Sequence, residues 1–192
     1  MKRLLITLFM LFSISFTPSF ADIDQIKLAA EQGGAEAQIE LGVAYADGDG
    51  VRQDYHEAVK WFKLSAEQGN AEAQLRLGVA YVFGSTGVRQ DYAEAVKWFK
   101  LAAEQGDVLA QYNLGVAYGE GHGVHQDYVE SVKWFKLSAA QGDAEAQFNL
   151  GVAYENGHGV LQDYAEAKEW FGKACDNGLQ DGCDAYRELN NQ

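Results

Sequence analysis

The sequence predicts an all-α fold, an α-solenoid in which antiparallel helix pairs stack into a superhelix. Five glycines recur at steps of 36, 37, 36 and 36 residues, at Gly33, Gly69, Gly106, Gly142 and Gly178. Four tryptophans keep steps of 37, 36 and 36 residues, at Trp61, Trp98, Trp134 and Trp170. No stretch of residues 22–192 alternates as a strand does. Because one helix pair cannot bury its own apolar face, the repeated units are expected to stack.

The repeats form a single solenoid domain at residues 22–192. Its four units are residues 28–63, 64–100, 101–136 and 137–172, and residues 173–192 form a partial capping repeat. Each second helix is predicted to begin at an acidic N-cap that is followed three residues later by glutamate, as at Asp91 and Glu94. Gly106 then ends that helix in the left-handed conformation. In the first helix of the fourth unit, Gly151 lets a neighbouring helix approach closely.

Residues 1–21 have the pattern of a signal peptide. Lys2 and Arg3 precede an apolar run from Leu4 to Phe16, and Ser19, Phe20 and Ala21 form a small-residue cleavage pattern. The apolar run is shorter than a bilayer span requires. We therefore expect export to the periplasm or secretion, with no membrane insertion after cleavage behind Ala21.

The charge of the chain argues against two classes of partner. Loss of Lys2 and Arg3 with the signal peptide takes the formal net charge from −13 to −15. Nucleic acids and anionic membrane surfaces need clustered lysine and arginine, so neither is expected as a partner. A basic partner is compatible with this charge, but the charge by itself indicates only solubility.

Cysteine and histidine are the residues of this chain that could form a disulfide or bind a metal. Cys175 and Cys183 are the only cysteines, and in an exported chain such a pair indicates one disulfide. His122 and His158 occupy equivalent loop positions, where Glu120 or Glu155 would be further metal ligands. A polar residue in a Gly-x-Gly turn is the favoured interpretation of both histidines. No metal and no cofactor are therefore predicted.

Catalytic constellations are also missing from the sequence. None of Ser65, Ser85, Ser131 or Ser138 is followed by lysine at the third position, as the nucleophile of a serine β-lactamase would be. The Ser-Asp-Asn and Lys-Thr-Gly motifs do not occur either. We therefore predict no catalytic residues and no enzymatic activity.

Candidate partner contacts lie where the units differ, because stacking residues must repeat while contact residues need not. The variable positions are two adjacent residues on the first helix and the residues at its end. They supply as candidates Arg76, Tyr112, Asn113, Phe148, Asn149, Phe83, Glu120 and Glu155. The recurring tyrosines and the Trp-Phe pairs are interpreted as packing.

The units resemble the Sel-one-like repeat (SLR), a relative of the tetratricopeptide repeat. In the fourth unit the pattern is carried by Ala146, Leu150, Gly151, Tyr154, Gly157, Gly159, Val160, Asp163, Tyr164, Ala167, Trp170 and Phe171. The string around Cys175 and Cys183 is similar to cysteine-bearing units of exported family members, where such a pair staples one unit to the next.

The resemblance implies a scaffold or adaptor that binds another protein on its repeat surface. It also leaves an alternative, a cell-wall-related penicillin-binding or β-lactamase-like enzyme, because some cysteine-rich relatives are described in that way. The identity of the partner does not follow from the sequence.

Overall fold

The computed structural model describes residues 20–84 and 88–191, with side chains from Ile23 onward. The predicted signal peptide lies outside the described residues except for the backbone of its last two. Ten α-helices follow one another in this part of the chain. They are α1 (Phe20–Glu31), α2 (Ala35–Asp47), α3 (Tyr55–Glu67), α4 (Ala71–Phe83), α5 (Tyr92–Glu104), α6 (Val108–Glu120), α7 (Tyr128–Ala140), α8 (Ala144–Asn156), α9 (Tyr164–Asp176) and α10 (Gln180–Asn190).

Each helix packs against the next one along the chain, from α1 on α2 to α9 on α10. The even-numbered helices α2, α4, α6 and α8 are the predicted first helices, and α3, α5, α7 and α9 are the second helices. Helices α1 and α10 stand at the two ends. The described residues contain no strand. The prediction of an all-α solenoid of stacked helix pairs is thereby confirmed.

The second helices begin at aspartate N-caps, as the sequence predicts. At α5, one carboxylate oxygen of Asp91 accepts hydrogen bonds from the backbone N–H groups of Ala93 and Glu94. The reciprocal half of the capping box is absent, because the N–H of Asp91 donates to the carbonyl of Tyr81 at 2.9 Å. Glu94 instead contacts Lys97 one turn later. The aspartate therefore ties its helix to the end of the preceding one.

A glycine of the first helix and a phenylalanine of the second bring the two helices of each repeat together. A Cβ atom added to Gly115 would lie 2.5 Å from the ring of Phe135, and one on Gly42 would lie 2.5 Å from Phe62. The pairs Gly78–Phe99 and Gly151–Phe171 repeat this geometry at 2.6 and 2.5 Å. The ring therefore fills the space that any larger residue in place of glycine would need.

Buried glutamines connect three helices at each junction. Gln111 of α6 is 5% exposed, and its amide donates to the carbonyl of Ala103 at the end of α5. Its side-chain oxygen accepts from Gln141 at the end of α7. Gln38, Gln74 and Gln147 make the equivalent pairs of bonds. Because each buried amide both donates and accepts a hydrogen bond, its desolvation is offset and the bonds join neighbouring helices in a defined register.

The tryptophans pack across the junctions between repeats. Trp98 of α5 lies against the core formed by Phe62 and Leu77, and Trp134 of α7 lies against the core around Phe99. The aromatic residues that recur in every unit therefore contribute to packing between units. This agrees with their interpretation from the sequence.

We predict that Gly115→Ala destabilises the fold although alanine favours helices. The added methyl group meets the Phe135 ring, and overpacking of this kind costs about 1–3 kcal/mol. Gly172→Ala is the matched control, since its Cβ would lie 3.4 Å from Tyr186 in ordinary contact. That variant should gain up to about 1 kcal/mol. Urea unfolding measures both, and equal effects of the two substitutions would contradict the prediction.

Candidate functional site

The solvent-facing sides of α2, α4, α6 and α8 form one surface, which we call the first-helix face. These four helices carry one basic residue, Arg76, and seven acidic ones. The acidic residues are Glu36, Glu40, Asp47, Glu72, Glu120, Glu145 and Glu155. The second helices α3, α5, α7 and α9 carry eight acidic and eight basic residues. The negative charge of the helical repeats is therefore concentrated on the first helices.

Two aromatic side chains lie on the C-terminal half of this face. Tyr112 of α6 and Phe148 of α8 are both partly exposed. Their rings lie 5.9 Å from Phe135 and 5.3 Å from Phe171, respectively. The equivalent residues of the first two repeats, Ile39 and Leu75, are smaller and buried. The two predicted contacts therefore extend the core of their repeats outward to solvent.

The hydroxyl of Tyr112 lies in a largely buried position near two carboxylates. Burial raises the pKa of its hydroxyl, and the carboxylates of Glu145 and Asp143 raise this pKa further. The opposing effect is a hydrogen bond with the side chain of Asn149. The hydroxyl is therefore neutral at physiological pH and is able to donate a hydrogen bond.

Arg76 also lies on the first-helix face, at the junction between the first and second repeats. Its Nε and Nη2 atoms lie 3.0 and 2.7 Å from one carboxylate oxygen of Glu72. Its guanidinium carbon lies 5.8 Å above the centre of the Phe62 ring. This predicted contact therefore already has an anionic partner and an aromatic partner within the chain.

The two candidate asparagines differ in burial. Asn113 is 3% exposed and donates its amide to the carbonyl of Leu109. Its side-chain oxygen is buried, without a hydrogen-bond partner among the described residues. Asn149 is only partly buried and donates to the carbonyl of Glu145. Asn149 is therefore placed to touch a ligand on this face, whereas Asn113 lies beneath its surface.

The remaining candidates lie at the C-terminal ends of the first helices. Phe83 ends α4 and is 49% exposed, which is unusual for an aromatic side chain. Glu120 ends α6, and its carboxylate lies 3.1 Å from Nδ1 of His122. Glu155 lies at the equivalent end of α8 and is partly exposed. These three residues border the first-helix face on the side of the loops.

The loop histidines pack on the preceding repeat. The ring of His122 stacks on Tyr92 at 4.9 Å, and that of His158 stacks on Tyr128 at 4.6 Å. Gly159, at φ +73°, lets the loop touch the backbone there, because an added Cβ would lie 2.2 Å from the carbonyl oxygen of Tyr128. Within residues 20–84 and 88–191, no group of three His, Cys, Asp or Glu side chains lies close enough to hold a metal.

A row of exposed leucines on α1, α3, α5 and α7 is a surface that the sequence reasoning missed. These side chains are 44–57% exposed, namely Leu28, Leu64, Leu101 and Leu137. A leucine that recurs in successive repeats suggests a packing role, yet the equivalent residue of α9 is the charged Lys173. That single lysine is the signal that the position faces solvent.

The cysteine pair forms the disulfide that the sequence indicates. Cys175 in α9 is bonded to Cys183 in α10, eight residues later. The bond joins the last complete repeat to the terminal helix.

None of the ten helices combines the length and the hydropathy that a membrane span requires.

Comparison with known proteins places this geometry in a family. The Sel1 repeat model matches residues 35–70, 71–107, 108–143 and 144–179. Each matched repeat begins seven residues after the corresponding unit predicted from the sequence and therefore contains one first helix and its second helix. No functionally curated protein matches the sequence.

Three solved structures are similar to this chain. One is c5321 of uropathogenic Escherichia coli, described as a protective antigen with an SLR fold (48% identity, TM-score 0.81, 84% of this chain and 34% of that one). Another is a Sel1 repeat protein of Oxalobacter formigenes (36% identity, TM-score 0.78, 83% of this chain and 65% of that one). Cysteine-rich protein B of Helicobacter pylori shares the fold (20% identity, TM-score 0.54, 69% of this chain and 94% of that one). The chain thus spans about a third of the length of the E. coli protein and just under two thirds of the length of the O. formigenes protein.

We predict that the Cys175–Cys183 disulfide stabilises the C-terminal end. Closing a loop of this length contributes about 2.5 kcal/mol in the chain-entropy model. The Cys175→Ser/Cys183→Ser variant should lose about that much free energy of unfolding, and hydrogen exchange should accelerate in α10. Unchanged protection of α10 in the variant would contradict this role.

We predict that Asp107→Asn stabilises the protein at neutral pH. Burial raises the pKa of this N-cap carboxyl, although backbone N–H groups at the start of α6 oppose the shift. The folded state therefore binds the proton more tightly than the unfolded state, and stability falls as pH rises through this range. Asparagine keeps the cap without the charge, as Asn70 does in α4.

The gain from Asp107→Asn should shrink as the pH falls towards the ordinary pKa of aspartate. Thermal unfolding as a function of pH measures this dependence. Asp127→Asn is the control, since that N-cap is exposed and no buried charge is relieved. A gain that did not vary with pH would refute the electrostatic explanation.

Proposed function

The chain belongs to the Sel1-repeat family, and from that premise we propose that it is an exported adaptor that binds another protein on its first-helix face. Sel1-repeat proteins are generally protein-interaction modules. We choose this surface because the repeats differ there in sequence. Tyr112 and Phe148 replace smaller buried residues and bring aromatic area to the surface.

Aromatic side chains in such a position supply the anchors of protein interfaces. They bring large contact area at a low cost in conformational entropy, and interface cores are enriched in them. Carboxylates border the pair, with Glu120 and Glu155 towards the loops and Glu145 on α8. An apolar centre within a charged border is the usual composition of a protein-binding surface.

Export is part of the same proposal. The leader predicted at residues 1–21 supports it, and so does the disulfide, because such bonds persist in oxidising compartments. The description of the E. coli relative as a protective antigen agrees with export. The periplasm and the extracellular space both satisfy these observations.

Site-specific photo-crosslinking in the native host tests the proposed surface. A photoreactive phenylalanine analogue at position 148 should capture a protein, because that side chain lies at the centre of the proposed contact. The same analogue at Leu101, exposed on the second helix α5, is the matched control. Capture from Leu101 alone would overturn the choice of face and favour the leucine row.

A nitrocefin assay on the purified chain tests the alternative, a penicillin-binding or β-lactamase-like enzyme. The adaptor proposal expects turnover no faster than that of the Cys175→Ser/Cys183→Ser variant. Faster turnover by the disulfide-bonded chain would favour the enzyme.

A further inference from the structure

A small cavity lies at the junction between the second and third repeats. It has a volume of about 20 Å³ and is enclosed by the first helices α4 and α6 and the second helix α5. Val82, Val96 and Phe99 give it apolar walls. Tyr92 and the loop residue His122 also line it and are partly exposed, so the cavity is open to solvent on their side.

Asn113 brings one unpaired polar atom to this cavity. Its amide nitrogen donates to the carbonyl of Leu109 at 2.9 Å, and its amide oxygen is buried without a partner among the described residues. The bond to a carbonyl identifies the two amide atoms, since only the nitrogen is able to donate. Leu109 lies one turn before Asn113, whereas Val116 and Ala117, the other residues of α6 in the lining, lie after it. The oxygen therefore points to the side of the cavity.

The other three repeats leave the polar side chain at this position in contact with solvent. Glu40 is exposed, and Arg76 and Asn149 are partly exposed. Part of the difference is Val82, which lines the cavity, because the next junction has Gly119 in its place. The third repeat thus combines a buried acceptor with a cavity beside it.

We propose that this cavity binds one hydroxyl group, which donates its hydrogen to Oδ1 of Asn113. Native proteins satisfy nearly all buried acceptors, either with their own groups or with ordered water. A volume of about 10–15 Å³ is sufficient for one water molecule, so a cavity of about 20 Å³ accommodates a hydroxyl group and little more. The apolar walls disfavour a charged group, since nothing in them would offset its desolvation.

Two sources supply this chemistry. One is a water molecule, which enters from the open side of the cavity. The other is a serine side chain of the bound protein, which would replace the water and restore the same hydrogen bond; this second source rests on the proposed function. Serine has the smallest side chain that carries a hydroxyl group, and the size of the cavity favours it over larger donors.

Nuclear magnetic resonance of the isotopically labelled chain tests the proposal. The reporters are the side-chain amide of Asn113 and the methyl groups of Val82 and Val96. Magnetisation transfer from water to these groups detects a bound water molecule. Titration with methanol, the analogue of the serine side chain, detects a hydroxyl group from outside, and acetonitrile is the control because it has a methyl group but no donor.

We expect transfer from water and a saturable response to methanol. Because methanol has only two non-hydrogen atoms, its Kd should be no tighter than about 10 mM. Acetonitrile should bind at least about tenfold more weakly, since it leaves the buried acceptor unpaired.

Two substitutions locate the acceptor within the chain. Asn113→Leu removes the amide and should abolish transfer from water to the two valines and weaken methanol binding about tenfold. Asn156→Leu is the matched control, because Asn156 makes the same bond to a carbonyl four residues before it but is exposed. This control should change neither signal, and an effect equal to that of Asn113→Leu would reject the site. Circular dichroism checks that each variant is folded.

The comparison of probes on the unsubstituted chain decides the matter even if Asn113→Leu does not fold. Transfer from water without a saturable methanol response would keep the site and reject serine as a source. No transfer together with equal responses to methanol and acetonitrile would overturn the proposal. Capture of a protein at position 148 does not depend on this cavity, so the proposed function stands or fails separately.

Discussion

The contact between a first-helix glycine and a second-helix phenylalanine is the constraint on which the rest of the structure depends. In all four repeats the ring occupies the space of a missing side chain, with nearly the same distance each time. Identical contacts give identical helix pairs, and identical pairs can stack in register. The buried glutamines then bridge from each pair to the preceding second helix, so that pairing within repeats and stacking between them rest on a few recurring residues.

This division of roles explains why the first-helix face is free to vary. The residues that repeat lie beneath it, and the two variable positions lie over the phenylalanine ring of the glycine–phenylalanine contact. Ile39 and Leu75 bury themselves there, whereas Tyr112 and Phe148 keep part of their surface in solvent. The residues at these positions differ in size and exposure, while the glycine–phenylalanine contact is the same in each repeat. Helix pairing and the chemistry of the face therefore depend on different positions.

The sequence predicted the helices, their aspartate caps, the close approach at glycine and the disulfide, because each depends on spacing along the chain. It did not predict that Leu28, Leu64, Leu101 and Leu137 are exposed, since repetition alone does not show which side of a helix faces solvent. It also did not predict that Asn113 is buried while Asn149 is accessible. That difference depends on neighbours from the preceding repeat, which only the packing of helices brings together.

A repeat protein offers internal comparisons that a single globular domain does not. The second repeat holds a guanidinium between a carboxylate and an aromatic ring at Arg76, and the third and fourth repeats have asparagine at the same position. A pair on the surface contributes little to stability, so omitting the cation costs the fold little. The position of Arg76 therefore varies from glutamate to arginine to asparagine along the chain, while the glycine–phenylalanine contact stays the same in each repeat.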